Sequence, residues 1–343
     1  MPIYNCHTHV FTVDHTPDDF LPFKLTSLMK LDVVRAPLSF LLTSANPFSN
    51  RDLFSRYANF VKTTYKKSQK DIFEQLRSYY PLDTKFIILP MDMAFMGCGK
   101  VGENIHRQHD DLSKLKNTYP NQIIPFAAID PRREGVLEML EDLVDNKEFR
   151  GVKLYPPLGY APDHETLLKV YAFAESRNIP IMAHCSRGGV KNRQMNENTL
   201  ISYTSPDSYK KILKDFPNLR VCLSHFGGEQ DWSAYLDNPW DEKSDDKSKS
   251  WLSKILDMLR SGEYPNLYTD IAYTIFHFED NSKILKVLLS DERVREKVLF
   301  GSDYYMVEQE KLSERRLVMT LRAAIGEELF WQISQTNPEK YLG

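Results

Sequence analysis

The sequence predicts an α/β fold, a distorted (β/α)8 barrel with insertions after its first and sixth strands. Three observations carry that expectation. Eight short apolar runs of five to eight residues recur along the 343-residue chain. Longer stretches with apolar residues at helical spacing separate them, the pattern of a parallel sheet covered by helices. Several of the runs end in histidine or aspartate, and the C-terminal ends of barrel strands are where active sites are built.

In chain order the expected strands are PIYNCHTH (2–9), KFIILPM (85–91), IIPFAAID (123–130), GVKLY (151–155), IPIMAHC (179–185), LRVCLSHF (219–226), NLYTDIAY (266–273) and KVLFGSD (297–303). Their near-continuous hydrophobicity suits strands buried on both faces. Helices are expected at EGVLEMLEDLVDNKE (134–148) and HETLLKVYAFAESRN (164–178), the second capped by Asp163 and closed by Ile179-Pro180. A doubly wound open sheet is the structural rival. No G-x-G-x-x-G follows the first strand, which weakens its dinucleotide-binding form.

Two connections exceed ordinary barrel loops. Residues 10–50 follow the first strand and contain Pro17, Pro22, Pro37 and Pro47; residues 227–250 follow the sixth. Insertions of this length are commonly covers over a site or mobile segments. The mixed-charge run 241–250 reads as a solvated surface. No repeat or low-complexity tract divides the chain, so one domain over 1–343 is expected.

Hydrophobic residues make up 42% and charged residues 27%, ordinary globular values. A net charge of -3 and a pI near 6.3 argue against binding a phosphate backbone. No apolar run approaches the ~20 residues of a membrane span, and no basic region followed by an apolar stretch marks a secretory signal. Cys6, Cys98, Cys185 and Cys222 lack C-x-x-C spacing, as expected of reduced thiols. The expectation is therefore a cytoplasmic protein acting on a small molecule, with homo-oligomerisation open and neither nucleic acid nor membrane as partner.

His7 and His9 are one residue apart. On a regular strand they share one face while Cys6 and Thr8 share the other. His184 ends the fifth strand, His225 the sixth and Asp303 the eighth. A lone strand-end histidine is often a core residue, and an aspartate after Gly-Ser is often a turn or cap. Their joint occurrence at four converging ends instead suits a divalent transition metal, most simply Zn²⁺.

The segments NCHTHV, FRGVKLYPP, IPIMAHCS, VCLSHFGG and VLFGSDYY, in this order, resemble the amidohydrolase superfamily, in particular the amidohydrolase-related group that includes several decarboxylases. The resemblance implies one metal held by His7, His9, His184 and Asp303, with His225 serving catalysis at or near it. In binuclear relatives a fourth-strand lysine is carbamylated and bridges two metals. In the group this chain resembles most, a G-V-K segment is common without that role, so Lys153 is expected beside the metal ligands or facing substrate. The alternative is that its amine snorkels out of the strand end or pairs with a carboxylate.

The loop SRGGVKNR after the fifth strand adds Arg187, Lys191 and Arg193. Arg187, three residues past His184, is the expected clamp for an anionic substrate; ordinary surface charge is the alternative for the other two. Tyr155, Tyr273 and Tyr304 are candidates to line the pocket. The expected reaction is hydrolysis of an amide, lactone or ester, with Asp303 accepting the water's proton and His225 stabilising the oxyanion. Non-oxidative decarboxylation of an aromatic or unsaturated acid would use the same residues, and a binding barrel without turnover is a third reading.

Overall fold

The computed structural model describes residues 2–21, 26–27, 68–238, 240–245, 248–274, 278–305 and 313–343. Most of the expected 10–50 insertion lies outside them. Eight strands form one sheet: β1 (Tyr4–Thr8), β2 (Lys85–Ile88), β3 (Ile123–Ile129), β4 (Gly151–Leu154), β5 (Ile181–Ala183), β6 (Val221–Leu223), β7 (Leu267–Asp270) and β8 (Val298–Leu299). They pair in sequence order, every pair parallel. Hydrogen bonds from Cys6 N to the Phe300 carbonyl and from Asp303 N to the His7 carbonyl bring the chain after β8 back to β1. All eight expected strands are present, and the fold is a (β/α)8 barrel.

Side chains sort by strand parity into two apolar layers. Tyr4, Cys6, Ile87, Leu89, Phe126, Met182, Cys222, Tyr268 and Leu299 fill the barrel interior. Phe86, Ile88, Ala127, Val152, Ile181, Val221 and Leu267 face the surrounding helices. Gly151 pairs with Phe126 across β3 and β4. A Cβ at Gly151 would lie only 2.4 Å from the Phe126 ring, so the absence of a side chain there lets the ring fill the floor. Cys6, Cys98, Cys185 and Cys222 are all buried free thiols.

β1 departs from the regular strand the sequence suggests. Tyr4 and Asn5 pair with Lys85 and Phe86, but Thr8 pairs with Ile88, so β1 carries one extra residue between Asn5 and Thr8. Such a bulge shifts the alternation of side chains. Cys6 therefore packs in the barrel interior, while its neighbour His7 meets Asp270 and His225 at the mouth. His7 and His9 share a side as expected, both turning Nε2 towards Asp303, while the extra residue lets the adjacent Cys6 enter the floor below them.

Helix ends follow local chemistry. Ser68 and Asn104 cap Gln69–Arg77 and Ile105–Thr118 by accepting from Asp71 N and Arg107 N. Helix Glu165–Ser176 is capped by His164, whose Nδ1 accepts from Thr166 N at 3.2 Å. Asp163 lies one residue too early for that bond. After β6, helix Glu229–Asp237 leads to Asp241, which departs from the solvated surface expected of 241–250. Asp241 is buried and accepts from the Ser250 amide and hydroxyl and from the Ser253 hydroxyl, closing the insertion onto helix Trp251–Ser261.

Candidate active site

The C-terminal ends of β1, β5, β6, β7 and the segment after β8 converge at the barrel mouth. His9 Nε2 lies 3.1 Å from Asp303 Oδ1, and His7 Nε2 lies 3.7 Å from the same oxygen. The opposite nitrogen of each ring is already engaged. His7 Nδ1 lies 2.9 Å from Asp270 Oδ2, and His9 Nδ1 lies 2.8 Å from the Leu89 carbonyl. A carbonyl only accepts, so His9 carries its proton on Nδ1 and presents the Nε2 lone pair inward; the Asp270 carboxylate imposes the same tautomer on His7.

The surroundings favour these protonation states. Burial, helped by the Lys153 cation, lowers the His7 pKa to about 3, so the ring is neutral. Burial alone would raise the Asp303 carboxyl, but His9 and His7, packed against it, hold it well below the usual carboxylate range. Asp270 is likewise held low, burial being outweighed by His7 and by His225, whose amide donates to it.

His225 and His184 form the second half of the mouth. His225 Nδ1 lies 3.0 Å from the Ala272 carbonyl, and its Nε2 lies 3.1 Å from His184 Nδ1. His184 Nε2 in turn lies 3.1 Å from the Gly188 carbonyl. With His225 protonated at Nδ1 alone, His184 must donate from both nitrogens to satisfy both contacts, yet burial pushes its pKa well below normal. A neutral His184 leaves one contact frustrated, either two lone pairs facing each other or a lone pair facing a carbonyl.

Donor atoms of His7, His9 and Asp303 lie within 4.8 Å of one another, and so do those of His7, His225 and Asp270. The fit to a divalent cation is good on donor chemistry: neutral imidazoles, an ionised carboxylate, and a carbonyl or carboxylate orienting each imidazole. His184 belongs to neither triad, being turned towards His225 and Gly188. Asp270 went unrecognised in the sequence. It ends β7 as His184 and His225 follow β5 and β6, but it lies three residues before the end of the run NLYTDIAY, so the strand-end criterion passed over it.

Lys153, on β4, is buried, and its Nζ has no hydrogen-bond partner among the described residues. Burial lowers its pKa to about 8 against the pull of Asp270 and Asp303. Neither snorkelling nor direct pairing describes it. Tyr155 packs its ring 4.4 Å from that of His184 and accepts from Val190 N through its hydroxyl. Arg187 is placed differently from the expected clamp: its guanidinium pairs with Asp231 at 2.8 Å and lies 4.4 Å from the Trp251 ring. Arg193 donates to the carbonyls of Asp19 and Phe20, tying the loop after β5 to the start of the first insertion.

Four non-glycine residues at this mouth, His225 (φ 69°), Phe226 (φ 46°), Tyr273 (φ 61°) and Asp303 (φ 62°), adopt the left-handed conformation. Such backbone is costly for residues with a Cβ and persists where packing over-determines it.

The amidohydrolase family model (Amidohydro_2) matches residues 96–343. The chain belongs to the amidohydrolase family. Solved amidohydrolase-superfamily structures share the fold over nearly the whole chain at low identity. A 2,6-dihydroxybenzoate decarboxylase from Rhizobium is 13% identical with a TM-score of 0.59, covering 100% of this chain and 98% of its own. A probable 2-pyrone-4,6-dicarboxylic acid hydrolase from Acinetobacter baumannii, with citric acid bound, is 13% identical with a TM-score of 0.59, covering 100% of both chains. A dihydroxybenzoic acid decarboxylase from Polaromonas sp. JS666, with bound manganese and 2-nitroresorcinol, is 12% identical with a TM-score of 0.59, covering 99% and 96%. A search of curated proteins finds no match. No helix among the described residues is long and apolar enough to cross a membrane.

Proposed function

We propose that this amidohydrolase is a metal-dependent hydrolase of a small anionic substrate bearing an amide, lactone or ester carbonyl. The observation that carries the reading is the paired orientation of His7 and His9, each fixed through Nδ1 so that Nε2 faces Asp303. His7, His9 and Asp303 would hold one divalent ion, with His184 as fourth donor, and Zn²⁺ suits the set. When bound, the ion supplies Lewis acidity at the barrel mouth.

The chain's own residues supply the rest. Asp303, ionised at neutral pH, accepts the proton of the attacking water and returns it to the leaving group. His225, anchored through Nδ1 to the Ala272 carbonyl, directs Nε2 into the mouth, where a proton on it would stabilise developing oxyanion charge. The buried Lys153 amine attracts the substrate's negative charge, and Tyr155 forms a wall beside His184. Arg187, held by Asp231, anchors the loop that carries the substrate side of the site.

Non-oxidative decarboxylation is the second reading, favoured by the decarboxylases among the structural neighbours. It would use Asp303 or His225 to protonate the carbon that loses CO₂. A panel of lactones, amides and aromatic or unsaturated acids, assayed in ¹⁸O-labelled water, separates the two. Solvent oxygen in the product without CO₂ supports hydrolysis; CO₂ release without solvent oxygen in the organic product transfers the assignment to decarboxylation.

A further inference from the structure

Asn5 lies two residues before His7, in a sealed polar pocket beside the barrel interior. It is fully buried, as are Ser302 and, nearly so, Glu314 and Tyr80. Its Oδ1 accepts from Ser302 N at 3.0 Å, and its Nδ2 donates to Ser302 Oγ at 2.9 Å. One amide thus grips the backbone and the side chain of Ser302 together. Ser302 Oγ also accepts from Tyr304 N at 3.2 Å, so the hydroxyl spans Asp303 from one flanking residue to the other. Asp303 N donates to the His7 carbonyl and His9 N to the Tyr304 carbonyl, which binds this left-handed turn to β1.

We propose that Asn5 is a positioning residue for Asp303, holding through Ser302 the turn that aims the Asp303 carboxylate at His7 and His9. The inference rests on the reading of Asp303 as a metal ligand. An amide is needed because the task takes one acceptor and one donor on a short side chain, and asparagine supplies both. The far side of the pocket accounts for its neutrality. Asn5 Nδ2 also reaches Tyr80 Oη at 2.9 Å and Glu314 Oε1 at 3.4 Å, and Tyr80 donates to Glu314 at 2.6 Å. Glu314 opens helix Glu314–Ile325, where the helix dipole favours a carboxylate. A second carboxylate at position 5 would meet it within the same buried pocket.

The test measures Zn²⁺ affinity by competition with a chromogenic chelator, alongside thermal unfolding of the metal-free protein. Asn5→Ala and Asn5→Asp should remain folded and bind Zn²⁺ ~10–100-fold more weakly, the usual effect of losing a group that orients a ligand. Tyr80→Phe removes a hydrogen bond from the same pocket but keeps both Asn5–Ser302 bonds; it should lower Tm and leave Zn²⁺ affinity unchanged. Should the Asn5 variants not fold, Ser302→Ala, which deletes only the hydroxyl, carries the same comparison. Wild-type affinity in folded Asn5 variants, or affinity losses that track Tm through Tyr80→Phe, would overturn the inference. A wild-type protein that takes up no Zn²⁺ is a different result: it overturns the metal reading beneath.

Discussion

The Asp270 carboxylate lies 2.9 Å from His7 Nδ1 through one oxygen and accepts from the His225 backbone amide at 2.9 Å through the other. A single residue on β7 thereby sets a ring on β1 and a backbone turn after β6. Asp270→Asn keeps the acceptor for the His225 amide but can turn an NH₂ towards His7 Nδ1, favouring the tautomer with its proton on Nε2. Zn²⁺ affinity is expected to fall ~10–100-fold. Chelator competition at unchanged thermal stability checks this, and wild-type affinity would remove Asp270 from the role.

His7→Ala and His9→Ala should lose metal outright, while His225→Ala should keep most of it and lose ~10²-fold or more in kcat. Elemental analysis of purified protein should give close to one metal per wild-type chain. Equal metal loss in all three variants would make His225 a ligand. Two metals per chain, with added mass on Lys153, would replace the mononuclear site with a bridged one.

Lys153→Met removes a buried amine that lacks a hydrogen-bond partner among the described residues, so the metal-free variant should unfold at a higher temperature than wild type. The wild-type lysine has a folded pKa of about 8, below its unfolded value. Above pH 8 the unfolded chain holds the extra proton, and stability rises with pH until the unfolded lysine has also titrated. Metal-free Lys153→Met should lack that rise, and KM for an anionic substrate should increase. Equal pH profiles for the two proteins would contradict the assignment.

His109 gives an acid limb remote from the mouth. Its Nε2 accepts from Ala128 N at 3.0 Å, and burial lowers its pKa to about 3. Between the unfolded histidine value and pH 3 the unfolded chain binds more protons, so stability falls as pH drops, by at most about 1.4 kcal/mol per pH unit from this group. His109→Gln offers an amide oxygen to the same N–H and should flatten that slope. Urea unfolding from pH 7 to pH 4 measures it; parallel curves would show that other groups set the acid limb.

The barrel was legible because strands buried on both faces leave compact apolar runs that no surface helix imitates. His184, His225 and Asp303 were legible because each closes such a run. Three features were not. The extra residue in β1 is a property of pairing with β2, and nothing in YNCHT differs from a regular strand. Arg187 looks the same in sequence whether it meets substrate or Asp231, a residue 44 positions further along the chain. The amide of Asn5 gains its meaning from Ser302, which lies 297 positions away.

The extra residue in β1 also separates two jobs that one strand would otherwise have to share. Below it, Tyr4 and Cys6 belong to the apolar floor; above it, His7 and His9 belong to the polar mouth. Repacking the floor therefore leaves the histidines' aim untouched, since the change of phase lies between the two sets. Deleting that one residue would couple them again. Either the floor would open or the histidines would swing towards the helices, so this short strand tolerates substitution far better than any change in its length.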